Sequence, residues 1–330
     1  MKFRLTWLYR VFALIATGCI APVASVAWAQ GYPNRPVHVV VQYPPGGTPD
    51  IYGRVMSAEL SKLWKQSVVV ENRTGASGTI GTEAVAKAQP DGYTLLFSTD
   101  TPITIVPNFM PNVPYDSLRD LQPIVNVTHG GFVLMVHPSV TANNLKELIA
   151  WIRARKGKAS FASSGNGSPQ HLAMETIRKM AGGLDMIHIP YKGFGQGLAD
   201  VLAGQVPMIF GSSTAAIQMA KSGKLKYVAT TGKTVIKALP EVRPVAEDFP
   251  GYDILDSWYG FMGPAGMPRE IVNKIHADVT AIVKRADFQD RLFRDGLEPI
   301  ANTPEEFAAQ IRSDRATWAR VLKTTDAGLD

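Results

Sequence analysis

Two short stretches constrain what this chain can fold into. Tyr43-Pro44-Pro45-Gly46-Gly47-Thr48-Pro49-Asp50 is the first, and Ser163-Ser164-Gly165-Asn166-Gly167-Ser168-Pro169-Gln170 is the second. Each follows an apolar run, is rich in glycine, and ends in a hydroxyl residue followed by proline. Thr48 and Ser168 suit a helix N-cap, and Pro49 and Pro169 suit the first helical position. Each stretch therefore predicts a strand, a glycine loop and a new helix N-terminus. Such a terminus has unpaired N–H groups and partial positive charge, and glycine lets a ligand approach the backbone. Taken singly, either loop reads as a well-capped turn. As a pair, they point to two lobes facing each other across a small anion.

The rest of the pattern is α/β. Val37 to Val41 is a continuous β-branched run, as in a strand buried on both faces, and Ile51, Val55, Met56, Leu60 and Leu63 then recur at helical spacing. Val68–Val70 and Thr94–Phe97 read as further strands. Between them lie the small-residue loop Gly75–Gly81 and a helix through Ala84, Val85 and Ala88. Three βα units in succession predict a parallel sheet covered by helices. Residues 102–123 are proline-rich and read as irregular.

The second half repeats the scheme. It has strands at Val133–Val136, Ser160–Ala162, Met186–Ile189, Val206–Phe210 and Tyr227–Ala229. Asn144 with Glu147, and Thr303 with Glu306, form capping boxes. Asp256–Phe261 reads as a crossing strand, and Pro268 opens a long amphipathic helix.

Residues 1–29 read as a secretory signal, with Lys2, Arg4 and Arg10 before an apolar core and Ala27-Trp28-Ala29 as the cleavage site. Those three cations account for part of the formal net charge of +6. No basic stripe with interleaved aromatics occurs, so nucleic acid is not an expected partner. The single cysteine, Cys19, lies within the signal. Ala16 stands where a lipoprotein signal usually has leucine, so anchoring through Cys19 is not expected. Cleavage after Ala29 leaves an exported, periplasmic chain without disulfide or cysteine-based metal site.

Catalytic patterns are missing. There is no P-loop, no complete dinucleotide fingerprint and no G-x-S-x-G elbow. The six histidines are scattered, none at metal-ligand spacing. His171 is the exception in position, three residues past Ser168, where structural and binding roles weigh equally. The loops offer glycines, small hydroxyls and backbone amides. No catalytic residue, metal or cofactor is expected.

Read together, Tyr43–Gly47 with Asp50, Val68–Arg73, Pro90–Leu96, His137–Ser139, Ser164–Ser168, Ile189–Gly193 and Pro264–Pro268 resemble the periplasmic substrate-binding proteins of tripartite tricarboxylate transporters, the Bug family. The resemblance runs collinearly from Tyr32 to Lys323. It implies a two-lobed periplasmic-binding-protein fold of type II, a Venus flytrap. Residues 30–131 plus 255–330 would form one lobe and 132–254 the other. It also implies a carboxylate held mainly by amides, small hydroxyls and water, without an arginine clamp.

The matching positions are Gly46, Gly47, Thr48 and Asp50 on one lobe, and Ser164, Gly167, Ser168 and His171 on the other. Around them stand Tyr43, as aromatic wall or strand-end packing, and the donors Ser77, Gly78 and Thr79. Thr99 and Thr101 lie at a strand end, where ligands of open α/β sheets bind. Tyr191 serves as lining or hinge. Ser212, with Gly211, replaces an aspartate common in relatives, so a ligand amine would lose a counter-charge. Thr74 also departs from the family, which commonly has proline there. The implied partners are a small carboxylate and membrane permease subunits, with the binding protein itself a monomer. The alternatives are a ligand-sensing module for a sensor kinase and an enzyme acting on a small organic acid.

Overall fold

The computed structural model describes residues 31–110, 112–220 and 222–325; the expected signal segment 1–29 and Cys19 lie outside the described residues. Arg35–Asp330 forms one compact unit. Two sheets organise that unit.

The first sheet begins with β1 (Val37–Val41), β2 (Val68–Asn72) and β3 (Thr94–Thr99), all parallel, with β1 in the middle. α1 (Thr48–Trp64) and α2 (Thr79–Ala86) form the crossovers. The sheet is mixed rather than wholly parallel. β4 (Leu121–Gly130) and β10 (Ser257–Pro264) join it antiparallel, and the short β11 (Glu298–Pro299) completes the order β11-β4-β10-β3-β1-β2. β4 emerges from the proline-rich stretch read as irregular. Before it, a single π-helical turn (Thr101–Ile105) and a 3₁₀ turn (Val106–Asn108) follow β3.

The second sheet has the order β7-β6-β8-β5-β9. Its strands are β5 (Phe132–Val136), β6 (Ala159–Ser163), β7 (Met186–Pro190), β8 (Met208–Ser212) and β9 (Lys226–Thr230). β6 runs parallel to β7 and β8, whereas β5 runs antiparallel to β8 and β9. The helices here are α3 (Leu145–Ala154), α4 (Pro169–Met180), α5 (Phe194–Leu202), α6 (Ser213–Ala220) and the short α7 (Val245–Asp248).

The chain passes from one sheet to the other at Gly131, between β4 and β5, and returns before Ser257. Gly131 has no room for a side chain: a Cβ there would lie 2.9 Å from Asp256 Oδ1 and 3.1 Å from the Gly232 nitrogen. The two crossing segments thus touch.

α8 (Arg269–Val283) starts just after Pro268, which occupies the N-cap, and a separate α9 (Ala286–Arg294) follows it. α10 (Pro304–Thr325) closes the chain and belongs to both cores. Its Phe307 and Ile311 pack with Val40, Leu96 and Trp258 of the first sheet. Its Trp318 and Val321 are buried with Leu134, Leu172 and Phe210 of the second. Burying these side chains removes apolar area from water on both sides, at roughly 1.5–3 kcal/mol per large residue. One helix therefore ties together units that the strands only link.

The expected capping boxes form. The Asn144 side chain accepts from the Glu147 N–H at 2.9 Å while Glu147 accepts from the Asn143 N–H at 2.8 Å. Glu306 accepts from the Thr303 N–H at 2.9 Å, and Thr303 accepts from the Glu306 N–H at 3.2 Å. Trp258, on β10, is 1% exposed.

Candidate functional site

The C-terminal ends of β1, β3, β6 and β8 carry polar loops. At the first glycine loop, Gly46 and Gly47 are exposed. The helix starts one residue earlier than expected, so Gly47 and not Thr48 is the N-cap, with no side-chain cap. The Ile51 N–H donates to the Gly47 carbonyl at 3.0 Å and closes the first turn there, and Asp50 braces the loop before it. Its carboxylate reaches back to accept from the Gly46 N–H at 3.0 Å, and it also accepts from Asn72 Nδ2 at 2.8 Å and Arg54 Nε at 3.0 Å. Burial alone would raise its pKa. The hydrogen bonds from Arg54, Asn72 and Gly46 outweigh that and hold the carboxyl below its ordinary value. Asp50 is thus a charged brace for the loop.

Released from capping, the Thr48 hydroxyl reaches across the molecule. It lies 3.3 Å from the Ser212 hydroxyl at the end of β8. Ser212 also accepts from the Ala215 N–H in the first turn of α6. Thr48 also lies near the phenol of Tyr259 on β10, whose pKa is raised first by burial. Beside it, the Tyr43 hydroxyl lies 3.2 Å from Thr99 Oγ1 and interacts with Thr101. Burial is the main cause that pushes Tyr43 up to about 12. Tyr43, Thr48, Thr99, Thr101, Ser212 and Tyr259 thus form one hydroxyl-lined cluster spanning both sheets.

The third loop flanks the first. Gly78 lies against Gln42 and Pro102, Thr79 is buried at the start of α2, and Ser77 is exposed. Gln42 itself donates to Thr82 and Ser98 and so fixes the end of β1 to β3.

The second glycine loop is built more tightly. Ser168 is the N-cap of α4 and accepts from the His171 N–H at 3.3 Å, with Pro169 following as expected. Gly167 adopts φ +71, a left-handed conformation that favours glycine. A Cβ there would lie 2.7 Å from the Phe109 ring. Phe109 fills the space beside Gly167, whereas Gly47 has only Pro49 and Pro44 within 4 Å. The hydroxyl pair Thr48–Ser212 is one contact between the two sides, and Thr214 Oγ1 donating to the Asp295 carbonyl at 3.0 Å is another.

His171 is 3% exposed and sits beneath this loop. Its Nδ1 accepts from the Gly167 N–H at 3.1 Å, so in the neutral ring the proton is on Nε2. It stacks on His188 with ring centroids 3.8 Å apart and an 8° tilt, and His188 stacks in turn on Phe161. Burial pushes His171 down to about 3, with His188 adding to the effect, and burial pushes His188 down to about 4. Both rings are neutral at ordinary pH. His188 Nε2 is 2.6 Å from Ser163 Oγ, which also accepts from the Gly165 N–H. Ser164 is half-buried beside them.

Tyr191 stands apart from the hydroxyl cluster. Its phenol donates to Asp200 at 2.5 Å within the second sheet's own layer, and that partner is the main cause pushing its pKa up to about 12. Sequence reasoning passed over Phe109 and Tyr259, and read His188 as a structural histidine on a strand. Tyr259 was detectable in principle, since it lies on the segment read as a crossing strand. Phe109 carried no signal, because its stretch has no periodicity. Among the described residues, no group of acidic, histidine or cysteine side chains could hold a metal, and no helix is long and apolar enough to cross a membrane.

Two α/β lobes, each presenting polar loops at strand ends and joined by crossing strands, define a periplasmic binding protein of the two-lobed type II class. The description "Tripartite tricarboxylate transporter family receptor" matches residues 52–327, and the chain belongs to that family. It is 34% identical to Protein BugT of Bordetella pertussis over 318 residues, 96% of each chain. It is similar to R. palustris Rpa4515 with adipate, at 29% identity and TM-score 0.85 over 89% of this chain and 98% of that one. It is also similar to MatC (Rpa3494) from Rhodopseudomonas palustris with bound malate, at 25% identity and TM-score 0.79 over 88% and 100%. The family is one of transporter receptors rather than enzymes, and a further similar structure, at 31% identity and TM-score 0.81, is that of the periplasmic binding protein BugD.

Proposed function

We propose that this protein captures a small carboxylate between its lobes and delivers it to the membrane subunits of a tripartite tricarboxylate-type transporter, after export and cleavage following Ala29. The observation that carries the reading is the hydroxyl cluster bridging the two sheets through Thr48 and Ser212. The lobes are 30–131 plus 255–330 and 132–254, a division supported by the membership of the two sheets.

The ligand's carboxylate is held by the amides and hydroxyls of Gly46, Gly47 and Thr48, with Thr99, Thr101 and the Ser77–Thr79 loop beside them. Ser164, Gly167 and Ser168 close from the other side. Tyr43 walls the site, His171 supports its second loop, and Asp50 and Tyr191 act as braces. Each charge-assisted hydrogen bond supplies roughly 1.5–3 kcal/mol, so several suffice for the roughly −8 kcal/mol of micromolar binding. Adipate and malate in related proteins support a dicarboxylate as the ligand class.

Titration calorimetry with adipate, malate and an amino acid tests this. Heat from at least one dicarboxylate, returned chemically unchanged, is the expected result. No binding by any carboxylate, or turnover of one, overturns it. Delivery is tested separately, by carboxylate uptake into vesicles holding the permease subunits with and without this protein.

A further inference from the structure

Asp100 lies between Thr99 and Thr101, directly under the hydroxyl cluster, and is 1% exposed. Its Oδ1 accepts from the Ser257 hydroxyl at 2.8 Å, at the first residue of β10, where the chain re-enters the first sheet. Its Oδ2 is buried without a hydrogen-bond partner among the described residues.

The titratable groups around it are acids and phenols, while the Ser257 hydroxyl and the backbone of Asp100 and Thr101 favour its charged form. Tyr43, following β1, and Tyr259, on β10, both feel its charge. Asp314 approaches from α10. Asp314 is itself half-buried, accepts from Trp258 Nε1 at 3.1 Å, and is pushed up to about 6, mainly by that burial. Arg315, the adjacent cation, turns away to Asp116 at 3.6 Å. A buried carboxylate with neither cation nor full hydrogen bonding is costly, and protonation is the cheapest remedy. Burial is the main cause that pushes Asp100 up to about 7.

We propose that Asp100 is a proton-bearing floor of the ligand site: it is held as a neutral acid when an anion is captured above it, so that carboxylate capture takes up a proton from solvent. The proposal rests on the ligand site described above. A negative Asp100 beneath Thr99 and Thr101 would repel a bound carboxylate, so ionisation of one disfavours binding of the other. By linkage, an anion that prefers the protonated form raises the affinity of Asp100 for its proton by the same factor.

Carbon-13 NMR of protein labelled at the aspartate carboxyl tests the proton directly, with Asp100→Asn assigning the signal. The expected result is a ligand-free titration near neutrality that moves upward on adding adipate. Adipate affinity should then weaken by up to tenfold per pH unit above the ligand-free midpoint. Asp100→Asn, which keeps a neutral side chain of the same shape, should bind adipate with a flat pH profile. Ser257→Ala, which removes the side-chain donor to the carboxylate, should move the midpoint further up. An Asp100 signal titrating in the ordinary aspartate range overturns the proposal, as does an unchanged pH profile in Asp100→Asn. Failure of adipate and malate to bind at any pH, with Asp100 still titrating near neutrality, would sink the ligand reading but uphold the buried acid.

Discussion

The Thr48 hydroxyl sits 3.3 Å from the Ser212 hydroxyl across a sequence separation of 164 residues. The bond connects the first turn of α1 with the last residue of β8, and so one lobe with the other. Removing either partner should weaken carboxylate binding by about 1–2 kcal/mol, roughly 5–30-fold in Kd. Thr48→Val and Ser212→Ala, measured by calorimetry, should be non-additive in a double-mutant cycle, because each loses the same contact. Additive losses would mean that the two hydroxyls act separately.

Gly167→Ala should harm both stability and binding. The left-handed φ of +71 costs an alanine about 1–2 kcal/mol, and the new Cβ would collide with Phe109. Phe109→Ala in the same chain should relieve only the collision. Partial recovery of the thermal midpoint in the double variant, short of wild type, is the expected result of a melting series.

The stacked histidines set an acid limit on stability. Their folded pKa values, about 3 and about 4, lie below the ordinary 6.5. The neutral rings therefore contribute stability above pH 6.5, and it is lost as pH falls towards 3. Each contributes a slope of up to about 1.4 kcal/mol per pH unit. Asp100 acts in the opposite sense: with its pKa raised, stability increases as pH falls from about 7 to about 4. Urea unfolding at several pH values should show His188→Phe with a shallower acid loss than wild type. Asp100→Asn should be relatively more stable than wild type above pH 7, and should lose stability more steeply than wild type as pH falls from about 7 to about 4.

Trp318 is fully buried on α10, within the core of the second sheet. Trp318→Ala should cost about 3–5 kcal/mol in urea unfolding. Because Phe307 and Ile311 on the same helix remain in the other core, the loss should fall mainly on the second lobe. Hydrogen exchange should show increased opening in α4 and little change in β1 and β3.

The amino-acid sequence by itself determined what is local. The caps at Asn144, Ser168 and Thr303, the β-branched strand Val37–Val41 and the helix following each glycine loop depend on neighbours within a few positions. That is the range over which backbone propensity and side-chain capping act. The tertiary structure alone decided what depends on distant partners. Thr48 fell inside the helix because the Ile51 N–H closes the first turn on the Gly47 carbonyl, while the Asp50 carboxylate, steadied by Asn72 from another strand, braces the Gly46 N–H. β4 escaped notice because its pairing with β10 joins segments more than a hundred residues apart. Phe109 took the space beside Gly167, and Asp100 came to rest without a cation, for the same reason. Close packing and desolvation are set by which chain segments converge, and a linear sequence carries no periodic signal for that convergence.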